Sequence, residues 1–178
     1  MAFNINDMIG AFQFEGARPT LFNIDIFNPV DSSADSSIQF LASSTEIPAS
    51  NLGNIPTPYM GRIINFAGDR TYDAWSVRVM NDENFAIRNA LEAWSDAINK
   101  KVQNIRSETN YKSTARVTQF SKTGDTLRIY RFNGIYPQTI APIGLDWNST
   151  NVFESFNVTF MYDYWDIENT TTGNAGGL

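Results

Sequence analysis

Apolar and polar residues alternate with period two along much of this chain, and in one stretch they switch to helical spacing. Over 20–27, Phe22, Ile24 and Ile26 alternate with Asn23 and Asp25, as in a strand with one buried face. From 72 to 80, Trp75, Val77 and Val79 fall on one side and Ala74, Ser76 and Arg78 on the other, with Trp75 as the core anchor. STARVTQF (113–120) and TLRIYRFNGIYP (126–137) are strands around a turn at 122–125. The last strand alternates most regularly, with Phe156, Val158, Phe160, Tyr162 and Tyr164 sharing a face. Between the strands, Ile87, Leu91, Trp94, Ile98 and Val102 mark one amphipathic helix. Asn81 is its expected cap, with Asp82 and Glu83 in a first turn where the helix dipole favours acids. Arg88–Glu92 and Asp96–Lys100 are spaced to pair on its wet face.

The pattern is weaker elsewhere. A short helix is expected over 4–14, capped by Asn6, with Met8, Ile9 and Phe12 on one side and Arg18-Pro19 ending it. NPVDSSADSS (28–37) reads as a polar loop, and the SIQFLASST that follows reads as a second strand with Ile38 and Phe40 facing one way. EIPASNLGNIPTPYMGR (46–62) carries three prolines and two glycines in seventeen residues, which argues against regular structure. Strand signals resume at 62–66, and Ala67-Gly68-Asp69-Arg70 has turn chemistry. The sum is a mainly β fold with one main α-helix. It is an antiparallel β-sandwich or barrel of about six to seven strands, in a single domain over 1–178. Residues 1–17 form an N-terminal arm or short helix, 46–62 an extended inter-subunit arm, and 167–178 a low-complexity tail.

Composition narrows the chemistry. The chain has no Cys and no His, which removes disulfides, thiolate nucleophiles, Ser–His–Asp triads and zinc sites built on those ligands. Charged residues make up 18%, against roughly 25% in an average globular chain, so much of the surface is expected to be covered by partners. The net charge is −6 with no basic cluster, a poor basis for gripping phosphates. No stretch has the form of a signal peptide or reaches the ~20 apolar residues of a membrane span, so the chain is expected to be soluble and to stay in the cytoplasm.

Three groups of side chains invite a chemical reading. Asp69, Asp73, Asp82 and Glu83 gather around Trp75, and a pair of them could form an acid–base couple. Turn, strand-entry and helix-start roles explain each one more simply. Tyr162, Tyr164 and Trp165 could stack on sugar rings in a carbohydrate-binding module, although core packing accounts for the two tyrosines. The Asp and Asn of 28–37 lack the alternating spacing of a calcium loop. No catalytic, cofactor or metal site is expected.

ARPTLFNIDI, then IPTPYMGRIINFAGDRTYDAWSVRVMNDENFAIRNALEAW, then FNGIYPQTIAPIGLDWNSTNVFESFNVTFMYDYW resemble, in order, the tail tube proteins of contractile-tailed bacteriophages. The likeness covers Ala17 to Trp165; the loop at 28–37 and the tail after Ile167 are longer than the family pattern. It implies a structural subunit of hexameric rings that stack into a hollow tube, conducting genomic DNA inside a contractile sheath. Partners would be further copies, the sheath, the baseplate and the tail terminator. The location would be the virion tail, assembled in the host cytoplasm. A tube subunit of a non-phage injection or type VI secretion system is the nearest alternative. On this reading Ile47, Leu52, Ile55, Tyr59, Met60, Asp69 and Arg70 are candidates for contacts between subunits, and Asn23 and Asp25 for the lumen wall.

Overall fold

The computed structural model describes residues 5–11, 16–101 and 111–168. In chain order the elements are α1 (Ile5–Ala11), β1 (Phe22–Ile26), a 3-10 turn (Ser32–Ala34), α2 (Asp35–Leu41), β2 (Ala42–Thr45), β3 (Ser50–Tyr59) and β4 (Arg62–Tyr72). Then come β5 (Trp75–Met80), α3 (Ala86–Ile98), β6 (Ser113–Phe120), β7 (Thr126–Ile140), β8 (Ser155–Met161) and β9 (Tyr164–Glu168). Seven strands form one antiparallel sheet in the order β1-β6-β7-β8-β5-β2, with β9 also on β7; β3 and β4 pair only with each other.

Strand β7 makes the sheet double back. Its first half pairs with β6 and β9, and its second half with β8. The switch falls at Gly134, which has φ +70° and is skipped in the β6 register between Asn133 and Ile135. A Cβ at Gly134 would lie 2.1 Å from Asp163 Oδ2, so a side chain here would displace that carboxylate as well as strain the backbone. The Asp163 backbone N–H donates to Asn133 O at 2.9 Å, and its carboxylate accepts from Lys112 Nζ at 2.6 Å. That bond to Asp163 is the main reason the Lys112 ammonium is held above its usual pKa.

The doubled sheet brings its two apolar faces together. Trp75 of β5 stacks on Phe132 of β7 with centroids 4.4 Å apart and rings 9° from parallel. Val77, Val79, Phe156, Val158 and Phe160 line one wall, and Ile24, Ile26, Ala115, Val117 and Phe132 the other. Helix α3 closes the open side, seating Ile87, Leu91 and Trp94 in this core. Trp94 reaches Phe160, and its indole N–H donates to Tyr111 O at 2.8 Å. The expected mainly β architecture, the strand faces of β1, β5 and β8, and the buried stripe of α3 are all present.

Some local expectations are corrected. Residues 35–41 are helical: Ile38 is buried, whereas Phe40 is exposed, because i, i+3 spacing rather than alternation puts Ile38 and Leu41 on the core side. Helix α3 starts at Ala86 after Phe85 in the left-handed region; Asn81 does not cap it, and its Nδ2 donates to Glu154 Oε1 instead. Asp82 still serves the helix start, since its Oδ1 accepts from the Ala86 N–H at 3.0 Å. Asp96 pairs with Lys101 rather than Lys100, at 3.2 Å. The last strand breaks at 162–163, where the chain follows β7 around its corner, and the alternation shifts phase so that Trp165 turns inward and Tyr164 outward. Phe12, Val102 and the tail from 169 onward lie outside the described residues.

Candidate assembly interface

The segment expected to lack regular structure is instead the first arm of a long hairpin. Strands β3 and β4 are joined by a two-residue turn at Met60-Gly61, both with positive φ, which matches the twist of a tight hairpin. The prolines are compatible with this because the hairpin has free outer edges. Pro56 and Pro58, two apart, direct their nitrogens away from β4 and leave that edge without two donors. Ten residues of β3 extend about 33 Å at ~3.3 Å each. Apart from Tyr72 at the base, which packs against the core, neither strand packs substantially on any other element, so the rest of the hairpin stands clear of the body.

Its two faces differ. Opposed residues share a face, so Ile55 with Phe66, Thr57 with Ile64, and Tyr59 with Arg62 form one side. That side is apolar and exposed, with Tyr59 at 63% and Phe66 at 55%. On the other side, Asn54 Nδ2 donates to Asn65 Oδ1 at 3.0 Å beside Pro56, Pro58 and Ile63. Leu52 and Met60 are exposed as expected. Ile63, Ile64 and Phe66 are the apolar members not singled out from sequence, although the strand signal at 62–66 contained them.

The base is pinned to the body. Ala67-Gly68-Asp69-Arg70 is not a turn but an irregular stretch of β4, where the register slips by one against Leu52–Asn54. The backbones come close there: a Cβ on Gly53 would sit 3.2 Å from Asp69 O, and one on Gly68 3.2 Å from Gly53 C. Arg70 Nη1 donates to Ser50 Oγ at 2.8 Å, and Asp73 Oδ1 accepts from Asn51 Nδ2 at 3.1 Å. Tyr162 donates its hydroxyl to Asp73 O at 2.7 Å, and burial pushes its phenol pKa up to about 12. Ile47 is half-buried against the core, so its apolar surface is already used at the root of the arm.

The chemical readings find no support in this geometry. Asp73 and Asp82 are bonded as joints, Asp69 is exposed on the hairpin, and Glu83 sits in the turn before α3. Tyr162 packs on Phe132 and Tyr72, and Trp165 on Tyr72 and Tyr130, so these two rings face inward and only Tyr164 of the three is exposed. Asp31 and Asp35 accept backbone N–H bonds from Ser33 and Asn28. Among the described residues no group of three or more carboxylates is placed to hold a metal ion. Asn28, missed from sequence, ties its loop to α3 by donating to Ala90 O at 3.0 Å.

Two polar faces remain. On the outer face of β1-β6-β7-β9, cross-strand pairing makes a row of Asp25, Arg116, Arg131 and Asp166. Arg131 donates to both Asp166 oxygens, at 3.1 and 2.6 Å, and this bond chiefly raises its pKa. Glu168 lies 3.1 Å from Arg116 and 3.6 Å from Arg131. Asn23 shares this face, and Asp25 accepts from Gln39 of α2. The outer face of β2-β5-β8 carries Ser44, Ser76, Arg78, Ser155 and Asn157, with Arg78 donating to Ser155 Oγ at 2.9 Å.

The sequence model of the family described as "Phage tail tube protein" matches residues 12–168. The chain is 33% identical over 166 residues to the tail tube protein of Enterobacteria phage T4, covering 91% of this chain and 99% of that protein. The tail tube protein of Enterobacteria phage T6 gives the same identity and coverage. Among solved structures, the tube-terminating cap of the anti-feeding prophage has a TM-score of 0.65 at 17% identity, over 86% of this chain and 91% of that one, a likeness of fold alone. A match that runs through all nine strands, with relatives aligned almost end to end, means that the chain belongs to the phage tail tube protein family.

Proposed function

We propose that the chain is the repeating subunit of hexameric rings that stack into the inner tube of a contractile tail and conduct genomic DNA to the host. Assembly takes place in the host cytoplasm, and sheath, baseplate and tail terminator are the other partners. The observation that carries this reading is the free-standing hairpin with its exposed apolar face of Ile55, Tyr59, Ile64 and Phe66. An exposed apolar ribbon on a lone subunit is costly in water and is explained by burial against another copy. The two prolines and the fixed base leave it little freedom to lose on docking. Leu52, Met60, Asp69 and Arg70 belong to the same arm. The protein works without catalysis.

The lumen wall is assigned to the face that carries Asn23 and Asp25. Among the described residues of that face the arginines are engaged by Asp166 and Glu168, which leaves a passing phosphate backbone little cationic charge to stick to. The test is Ile64→Asp combined with Phe66→Asp. Because neither side chain enters the core, the variant should keep its circular dichroism and sediment as a folded monomer, yet form no tubes by electron microscopy, with or without baseplates. Normal tubes from this variant would refute the arm.

A further inference from the structure

Besides the hairpin, the segment between β7 and β8 exposes apolar side chains, and it rejoins the sheet at the other end of β5. The hairpin leaves the body beside the Trp75–Phe160 pair. The segment 141–154 leaves after Ile140 and returns at Ser155, beside the Met80–Ser155 pair. Between the two ends lies the length of β5, six residues or about 20 Å at ~3.3 Å per residue. The segment is ordered at its tip: Asp146 Oδ1 accepts from the Asn148 N–H at 3.0 Å, and Asp146 O from the Ser149 N–H at 3.2 Å. This turn holds Trp147 fully in solvent, with Leu145, Val152 and Phe153 exposed nearby. A tryptophan held outside the molecule by an ordered turn has the form of an interface anchor.

We infer that the 141–154 segment, with Trp147 at its centre, is the seat for the hairpin of the next copy of this chain. This rests on the reading of the hairpin as an inter-subunit arm. Three observations select a second copy as the occupant. The stems of projection and seat lie at opposite ends of β5, and beyond its base the hairpin does not pack substantially on any other strand or helix of its own copy, so its apolar face is free to meet the next copy's seat in an open head-to-tail contact that lengthens the assembly. Their charges are complementary: beyond the bulge, at 54–67, the only charged residue is Arg62, on the apolar face, whereas 141–154 carries only Asp146 and Glu154. Pro56 and Pro58 blunt one edge of the hairpin, so it docks by its face, which is the part that matches an apolar seat.

The experiment compares three variants for tube growth on baseplates. Trp147→Ala with Phe153→Ala should fold as the parent does, since both side chains are exposed, and should give no tubes. If it grows tubes of normal length, the seat belongs to another partner, such as the sheath, and the inference falls, while the arm stands or falls on the Ile64→Asp and Phe66→Asp variant alone. The third variant carries Thr57→Cys and Asn148→Cys; the chain has no other cysteine. Its tubes, when oxidised, should run on a non-reducing gel as a ladder of covalent oligomers. Tubes that form normally and yield only monomer on that gel would overturn the proposed pairing.

Discussion

Gly134 and Asp163 fill one point in space between them, and the corner of the sheet depends on this. An alanine at 134 meets a positive φ, which costs a side chain about 1–2 kcal/mol, and drives the Asp163 carboxylate off Lys112. Gly134→Ala should therefore lower stability by at least that amount, read as a lower urea midpoint with an unchanged slope. Tyr162, at the root of the hairpin, gives a pH prediction. Its phenol titrates near 12 when folded, against about 10 when unfolded, so folding favours the protonated form. The stabilisation is complete below about pH 10 and is lost as pH rises towards 12. Tyr162→Phe should flatten that part of the alkaline stability profile and remove the bond to Asp73 O, at a cost of about 1 kcal/mol at neutral pH. Equal alkaline slopes in parent and variant would contradict this assignment. Neither role was legible from sequence: the alternation placed Tyr162 on the core face, but only the folded chain brings it to Asp73 and brings Asp163 to Gly134.

At the scale of elements, α3 and strands β1, β5 and β6 were readable because each presents a single face to one core and its period is therefore regular. The hairpin was not, because it has no core to impose a period and its prolines are tolerated only where an edge stays unpaired. Leu52, Ile55, Tyr59 and Met60, singled out from sequence for the stiffness and apolar content of their segment, stand exposed on this hairpin. Ile47 did not belong to it. Gly68→Ala separates arm from body. The added Cβ would press on the Gly53 backbone at 3.2 Å and re-aim the hairpin, while the core is untouched. Thermal midpoint should change little, within about 0.5 kcal/mol as for surface changes, and tube yield should drop sharply. A large loss of stability would mean that the arm belongs to the folding unit.

For the whole molecule, assembly should be visible as protection of the hairpin. In the free subunit Arg62 and Arg70 lie on an exposed two-stranded ribbon with no packing behind it. Limited trypsin should cut there first, giving two fragments that stay associated through the sheet, and the same sites should resist cleavage in tubes. Equal cleavage rates in subunit and tube would argue against burial of the arm. Low overall charge, −6 with 18% charged residues, suits a chain that presents most of its surface to copies of itself.

The sequence by itself determined the fold class, the core face of β1, β5 and β8, the stripe of α3, the loss of Cys and His chemistry and the family. These are local or compositional properties: a period, a count, or an ordered set of short motifs. Tertiary structure alone decided that 35–41 is a helix, because the four-residue alternation there fits either element until the core selects Ile38 and Leu41. It decided that Pro56 and Pro58 lie in a strand, because only an unpaired edge permits them. It also decided that β7 turns its corner at Gly134, and that the hairpin and the return of the 141–154 segment join β5 and β8 at opposite ends. Those relations join residues far apart in the chain, and no period or motif along the chain encodes a distance across the fold.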